Sequence, residues 1–314
     1  MKRLIVLVVA FWSWCGVAAA DSLAEASRFC SVDEGRALLG VEDEYMRCWS
    51  RFDTESRVGK AGGTQQEWRA FAAEQVLPWS VRDRERIGAI LKKMDEEAAL
   101  RGWTSLPIPD RIRFVKTSMR EEGGAAGYTR QDYIVLTARL DEMSDARLEH
   151  LVAHEVFHVL SRNAEDFRRA MYGIIGFSMM PSIDYPEGLK ERRITNPDAP
   201  QTDCYIELMR GGQEIKAMMV MYSEEDYRGG SFFEYLRIGF LVLDESLKPR
   251  MVDGKAEVLD VAEVGNFFEQ VGRNTNYIIH PEEIMAENFV LALFDRTEVS
   301  DPRIVKAIQS ALAK

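Results

Sequence analysis

Apolar residues recur at helical spacing through the first third of the chain. Trp68, Phe71, Ala72 and Val76 mark one amphipathic stretch before Pro78, and Ile87, Ile90, Leu91, Met94 and Ala98 mark the next. The Gly59 to Gly63 stretch reads as a loop. Trp68, Trp79 and Trp103 read as core side chains rather than a binding platform. The period then shortens. Ile112 to Thr117 predicts a strand, Gly123-Gly124 a turn, and Tyr128 to Leu136 a further strand. Within it, Asp132 to Thr137 is richest in β-branched and aromatic residues. Leu148, Leu151, Val152 and Val159 return to helical spacing, with Ser144 or Asp145 placed to cap that helix and Ser161 near its end. A short helix is expected over Glu165 to Tyr172.

Pro181, Pro186, Pro197 and Pro200 break any period between residues 181 and 202, which predicts a long loop. Strand patterns follow at Tyr205 to Met209, Ile215 to Tyr222 and Tyr235 to Leu243. Gly211-Gly212 and Asp253-Gly254 are the turns expected among them. Helical spacing resumes through Phe267 and from Pro281 to Phe294, and a last helix starts near Ser300. The pattern predicts an α+β fold. A helical region would cover residues 21–110, a mixed sheet with its central helix 111–180, a loop and β-rich insert 181–265, and C-terminal helices 266–314. No internal repeat interrupts this order.

The first twenty residues fall outside it. Lys2 and Arg3 precede an apolar run from Leu4 to Trp14, and Ala18-Ala19-Ala20 supplies small residues for cleavage. A signal peptide cut after Ala20 is expected, with export to the periplasm or beyond. Trp14 stands before Cys15 where a lipoprotein needs a small residue. Losing Lys2 and Arg3 takes the formal net charge from −11 to −13, which argues against nucleic acid and anionic membranes as partners. Among the remaining cysteines, Cys30 and Cys48 are expected to pair in an oxidising compartment. Cys204 reads as a small buried residue.

The chemistry is concentrated in His154-Glu155-Val156-Phe157-His158. Residues i and i+4 sit one helical turn apart, so both imidazoles reach one point. Two imidazoles and one further ligand suit a single Zn²⁺ with an open position for water. Glu155, beside the first histidine, is placed to act on that water as general base. His150, one turn earlier, lies too far from the same point and is expected in an outer sphere or at the surface.

A strand followed by a His-Glu-x-x-His helix resembles the zincin metallopeptidases, over roughly residues 130–163 and 277–294. The resemblance implies a zincin-like fold. Its edge strand, within Gly127 to Leu136, would hold an extended peptide by strand addition. No further histidine follows closely, since Val159-Leu160-Ser161-Arg162-Asn163 comes next. The likeness is therefore to gluzincins such as thermolysin, whose third ligand is a carboxylate on a later helix. Glu283 fits that place, and Glu287, four residues on, fits the acid that accepts the free ring N–H of a ligating histidine. Glu187 with Glu191 is the rival pair, and Glu282 is expected to be a solvated first-turn acid. His280 is expected either to stabilise an oxyanion or to cap its helix, with Tyr277 and Tyr205 as weaker candidates for the first task. The expected function is an exported zinc peptidase acting on peptide or protein substrates. The alternative is a binding or scaffold module with a silent zinc site. No signature that would grip a substrate amine is apparent in the sequence.

Overall fold

The computed structural model describes residues 22–104 and 106–313, so the expected signal peptide and its cleavage site lie outside the described residues. Six helices occupy the N-terminal region: α1 (Leu23–Ala26), α2 (Val32–Leu39), α3 (Glu44–Arg47), α4 (Arg51–Val58), α5 (Gln65–Glu74) and α6 (Val81–Leu100). Capping boxes start α2, α4, α5 and α6, so each of these helices satisfies its own first N–H groups. This region is not purely helical. Strands β1 (Ser27–Phe29) and β2 (Val76–Leu77) both pair with β3 (Ile112–Thr117). Val76, expected in a helix, therefore belongs to a strand, because α5 ends at Glu74 and the chain turns extended to join the sheet.

The sheet is completed by β4 (Gly127–Arg130) and β5 (Tyr133–Thr137), in the order β1-β3-β5-β4 with β4 at the edge. The single strand expected from Tyr128 to Leu136 is a hairpin. Gln131 takes a left-handed φ of 54°, which reverses the chain and sets Arg130 opposite Tyr133. Alternation could not reveal this turn, since every residue of both arms except Gly127 is buried.

Helix α7 (Asp145–Asn163) follows, its N-cap Ser144 accepting from the Arg147 N–H at 3.3 Å. Its buried stripe of Val152, Val156, Val159 and Leu160 packs into the main core, each such side chain contributing roughly 1.5–3 kcal/mol by burial. Asn163 ends α7 by donating to the Val159 and Gln131 carbonyls, tying the helix to the hairpin. Helix α8 (Glu165–Ile174) comes next.

The expected β-rich insert is a five-stranded antiparallel sheet built from β6 (Phe177–Met179), β7 (Cys204–Arg210), β8 (Gln213–Tyr222), β9 (Arg237–Leu243) and β12 (Val258–Leu259), in the order β12-β9-β8-β7-β6. A small hairpin, β10 (Met251–Val252) with β11 (Lys255–Ala256), turns at Asp253-Gly254. The expected Gly211-Gly212 turn joins β7 to β8. The insert is no separate body: one continuous core runs from Phe114 and Leu136 of the first sheet to Ile206 and Phe240 of the second. Helices α9 (Phe267–Val271), α10 (Pro281–Leu293) and α11 (Pro302–Leu312) close the chain. The last begins near Ser300 as expected, with Asp301 at its N-cap position.

The expected Cys30–Cys48 disulfide is absent, and Cys30, Cys48 and Cys204 are free thiols. Cys30 extends β1, its N–H bonded to the Phe114 carbonyl, whereas Cys48 caps α3 with its carbonyl bonded by Thr195. The two sit in different strand and loop contexts that nearness in sequence does not join. No helix among the described residues is long and apolar enough to cross a membrane.

Candidate metal centre

Two helices build the site. The middle of α7 is buried on every side, and so is α10 from Pro281 to Ala286. Polar side chains on such surfaces need partners, and here they find one another. His154 Nε2 lies 3.0 Å from Glu283 Oε2, and His158 Nε2 lies 3.5 Å from the same oxygen. The ligating atoms of His154, His158 and Glu283 all fall within 4.8 Å of one another.

The remaining ring nitrogens are pinned by carboxylates. His154 donates through Nδ1 to Glu287 at 3.0 Å, and His158 through Nδ1 to Glu282 at 3.1 Å. Both rings therefore present Nε2 to a common point beside Glu283. Such ring-to-carboxylate bonds set the orientation of metal-binding histidines and raise their basicity. His158 Nε2 is buried and makes no hydrogen bond, an orphaned donor atom aimed where an ion would sit. Two imidazoles and a carboxylate form a donor set suited to zinc, and these residues fit it.

Glu282 departs from expectation. It is fully buried rather than solvated, and besides His158 it accepts from Tyr172 at 2.6 Å, Ser161 at 2.8 Å and Arg162 at 3.3 Å. Burial opposes its charge, yet Arg162 and His158 hold its pKa at about 2. The helix-start signal concealed this role, because first-turn acids are common where no partner exists. Glu287 bonds His154 as expected and also His150, at 2.8 Å, and these three side chains also lie close enough together to hold an ion. The rival pair is remote from these contacts: Glu187 and Glu191 are exposed, and Glu191 lies 3.8 Å from Arg51. His280 caps α10. Its Nδ1 accepts from the Glu282 N–H at 3.1 Å, and burial lowers its pKa to about 4. Tyr277, not His280, lines the cavity over His154 and Glu155, while Tyr205 packs against the second sheet's core.

Glu155 faces the edge strand. Thr129 on β4 donates to its Oε2 at 2.8 Å. A Cβ added at Gly127 would come within 2.7 Å of Oε1, so only glycine lets the strand approach the carboxylate this closely. Burial raises the Glu155 pKa against the pull of His158 and His154. Three residues that pattern reasoning missed complete the surroundings. Thr129 is one; the others come from the proline-rich loop. Asn196 donates to Glu283 Oε1 at 2.6 Å, and Asp198 brings its carboxylate within 4.8 Å of Glu155 and His158. Burial raises the Asp198 pKa well above the usual range, with His158 opposing and Glu283 and Glu155 adding to it. The only signal was a polar Asn-Pro-Asp in a loop otherwise free of pattern.

No family model, curated protein or solved structure matches this chain. The geometry carries the reading.

Without an ion, burial lowers the His154 pKa, but hydrogen bonds to Glu283 and Glu287 outweigh it and raise it to about 9; His158 is likewise raised. The His154 ring then holds its second proton at neutral pH, and a divalent metal must displace it. Metal affinity is expected to rise as pH increases towards about 9, by ~10-fold per pH unit for each proton released. Chelator-competition titrations between pH 6 and 9 check this, and an affinity independent of pH would contradict it.

Proposed function

We propose that this protein is an exported zinc-dependent metallohydrolase, a peptidase that cleaves amide bonds with Glu155 as general base. The observation that carries the proposal is the convergence of His154 Nε2, His158 Nε2 and Glu283 Oε2, with both Nδ1 atoms held by carboxylates. A merely packed pair of histidines has no need of that arrangement. Zinc, when bound, supplies a Lewis acid that polarises a carbonyl and lowers the pKa of water.

The chain's own residues supply the rest. Thr129 fixes one oxygen of Glu155, and the other faces Gly127 at the rim of a cavity of about 310 Å³. From there Glu155 takes a proton from the attacking water and returns it to the leaving nitrogen. Ala125, Ala126 and Gly127 give a substrate backbone room to approach, and Phe233 and Tyr277 offer apolar walls. The Tyr277 ring lies 6.3 Å from that of His154, a nearness that supports a role for its side chain in steadying the oxyanion.

Metal analysis tests the proposal. The purified protein is expected to hold one zinc per chain, and His154→Ala and His158→Ala are each expected to lose it. Wild-type protein that stays metal-free after incubation with zinc would sink the proposal.

A further inference from the structure

An edge strand takes up a peptide only where its outward backbone groups are free. The Ala126 carbonyl accepts from the Thr137 N–H. By alternation Ala126, Tyr128 and Arg130 bond towards β5, and Gly127 and Thr129 turn outward. The outward Thr129 N–H is already taken by Asp198 Oδ1, at 2.5 Å. Pro197, beside it, lines both a cavity of about 430 Å³ beyond Arg130 and Gln131 and a separate one of about 70 Å³ at Gly127 and Tyr128. Pro197-Asp198 therefore stands as a wall across the groove at Thr129.

The wall is firmly held. Thr195 donates to Asp53 through its N–H at 2.9 Å and its hydroxyl at 2.7 Å, and Arg57 donates to the Thr195 carbonyl at 2.9 Å. Arg57 and Asp53 form a fully buried ion pair at 2.7 Å, which removal of either partner would leave as an uncompensated buried charge. The groove is open towards Gly127 and closed towards Arg130.

We propose that the Asp198 carboxylate binds the free α-ammonium group of a peptide's first residue, making the substrate class peptides with an unblocked amino terminus. This rests on the peptidase reading above. A peptide antiparallel to β4 runs its amino-terminal side towards Arg130, the closed end. Charge selects the same polarity. A terminal carboxylate at the wall would lie against the carboxyl groups of Asp198 and Glu155, whereas an ammonium finds acceptor oxygens there and favours their ionised forms. Asp198 has no arginine or lysine ion-pair partner among the described residues, unlike Glu282 with Arg162. The spacing also fits. The α-nitrogen and carbonyl carbon of one residue are about 2.5 Å apart, and Asp198 lies within 4.8 Å of Glu155 and His158. An amine on Asp198 therefore brings the first peptide bond, not a later one, to Glu155. One water adds across that bond, releasing one free amino acid and a peptide shorter by one residue.

The test compares free and N-acetylated forms of one tetrapeptide set with the zinc-loaded protein, reading products by mass spectrometry. Calorimetry of leucine hydroxamate against N-acetyl-leucine hydroxamate adds a binding readout. Loss of a charge-assisted contact predicts ~10- to 100-fold faster removal of the first residue from free peptides, and a similar preference for the free hydroxamate. Asp198→Asn is expected to keep zinc and erase both preferences. Equal use of free and acetylated forms by the wild type, or internal cleavage of both, overturns the amine anchor and leaves the peptidase reading standing. A zinc-free protein that cleaves neither overturns both. The wild-type ratios need no variant, so a poorly folding Asp198→Asn protein leaves the test intact.

Discussion

Glu155→Gln is expected to keep the fold and the metal while slowing hydrolysis by ~10²- to 10⁴-fold, the usual contribution of a positioned general base. The amide nearly matches the carboxylate in size, and its oxygen can still accept from Thr129, which now donates to Glu155 at 2.8 Å. Glu155 is outside the His154, His158 and Glu283 donor set, so zinc stoichiometry should not move. What disappears is the acceptor for the water's proton in a buried site where no solvent substitutes. Steady-state rates on a cleaved peptide, beside metal analysis of the same preparation, check both halves. Unchanged turnover would remove Glu155 as the base.

Glu283→Ala is expected to release the metal, since one of three protein ligands goes and Asn196, which donates to Glu283 at 2.6 Å, loses its acceptor. Glu282→Ala and Glu287→Ala leave the ligands in place but free the Nδ1 sides of His158 and His154. Each is expected to weaken zinc by ~10–100-fold, the range for outer-sphere partners. Glu282→Ala carries a second penalty. It strands the buried Arg162 and His158 without their shared acceptor, a loss on the order of 3–5 kcal/mol in folding stability. Glu187→Ala, at an exposed position, should change neither quantity. Zinc titration against a chromophoric chelator, with thermal melts of each apoprotein, separates the two effects. If Glu187→Ala alone released the metal, the α10 ligand would be wrong and only the histidine helix would stand.

The sequence alone determined the elements whose signals are local. Helix α7 was legible from its cap at Ser144 and its apolar stripe, and β7, β8 and β9 of the second sheet from their strand patterns and the Gly211-Gly212 turn, whereas β6 and β12 were not. The convergence of His154 and His158 was legible too, because i, i+4 spacing on a helix is itself a statement about distance. Glu283 and Glu287 needed the likeness to gluzincins; in the fold both carboxylates lie 3.0 Å from ring nitrogens of His154.

Tertiary structure decided what depended on a partner far along the chain. Whether Glu282 is solvated or buried rests on α7 packing across it, 124 residues away in sequence at His158. The hairpin at Gln131 was hidden because the sheet and α7 bury both of its arms, which removes the alternation that marks a half-exposed strand. The unformed Cys30–Cys48 bond shows the same limit, as closeness in sequence does not set two thiols face to face. Asn196 and Asp198 lay in a loop with no period to read, and only the packing of that loop against β4 and Glu283 brought them to the site. Periodicity reports which face of an element is buried; the identity of what covers that face is a long-range property.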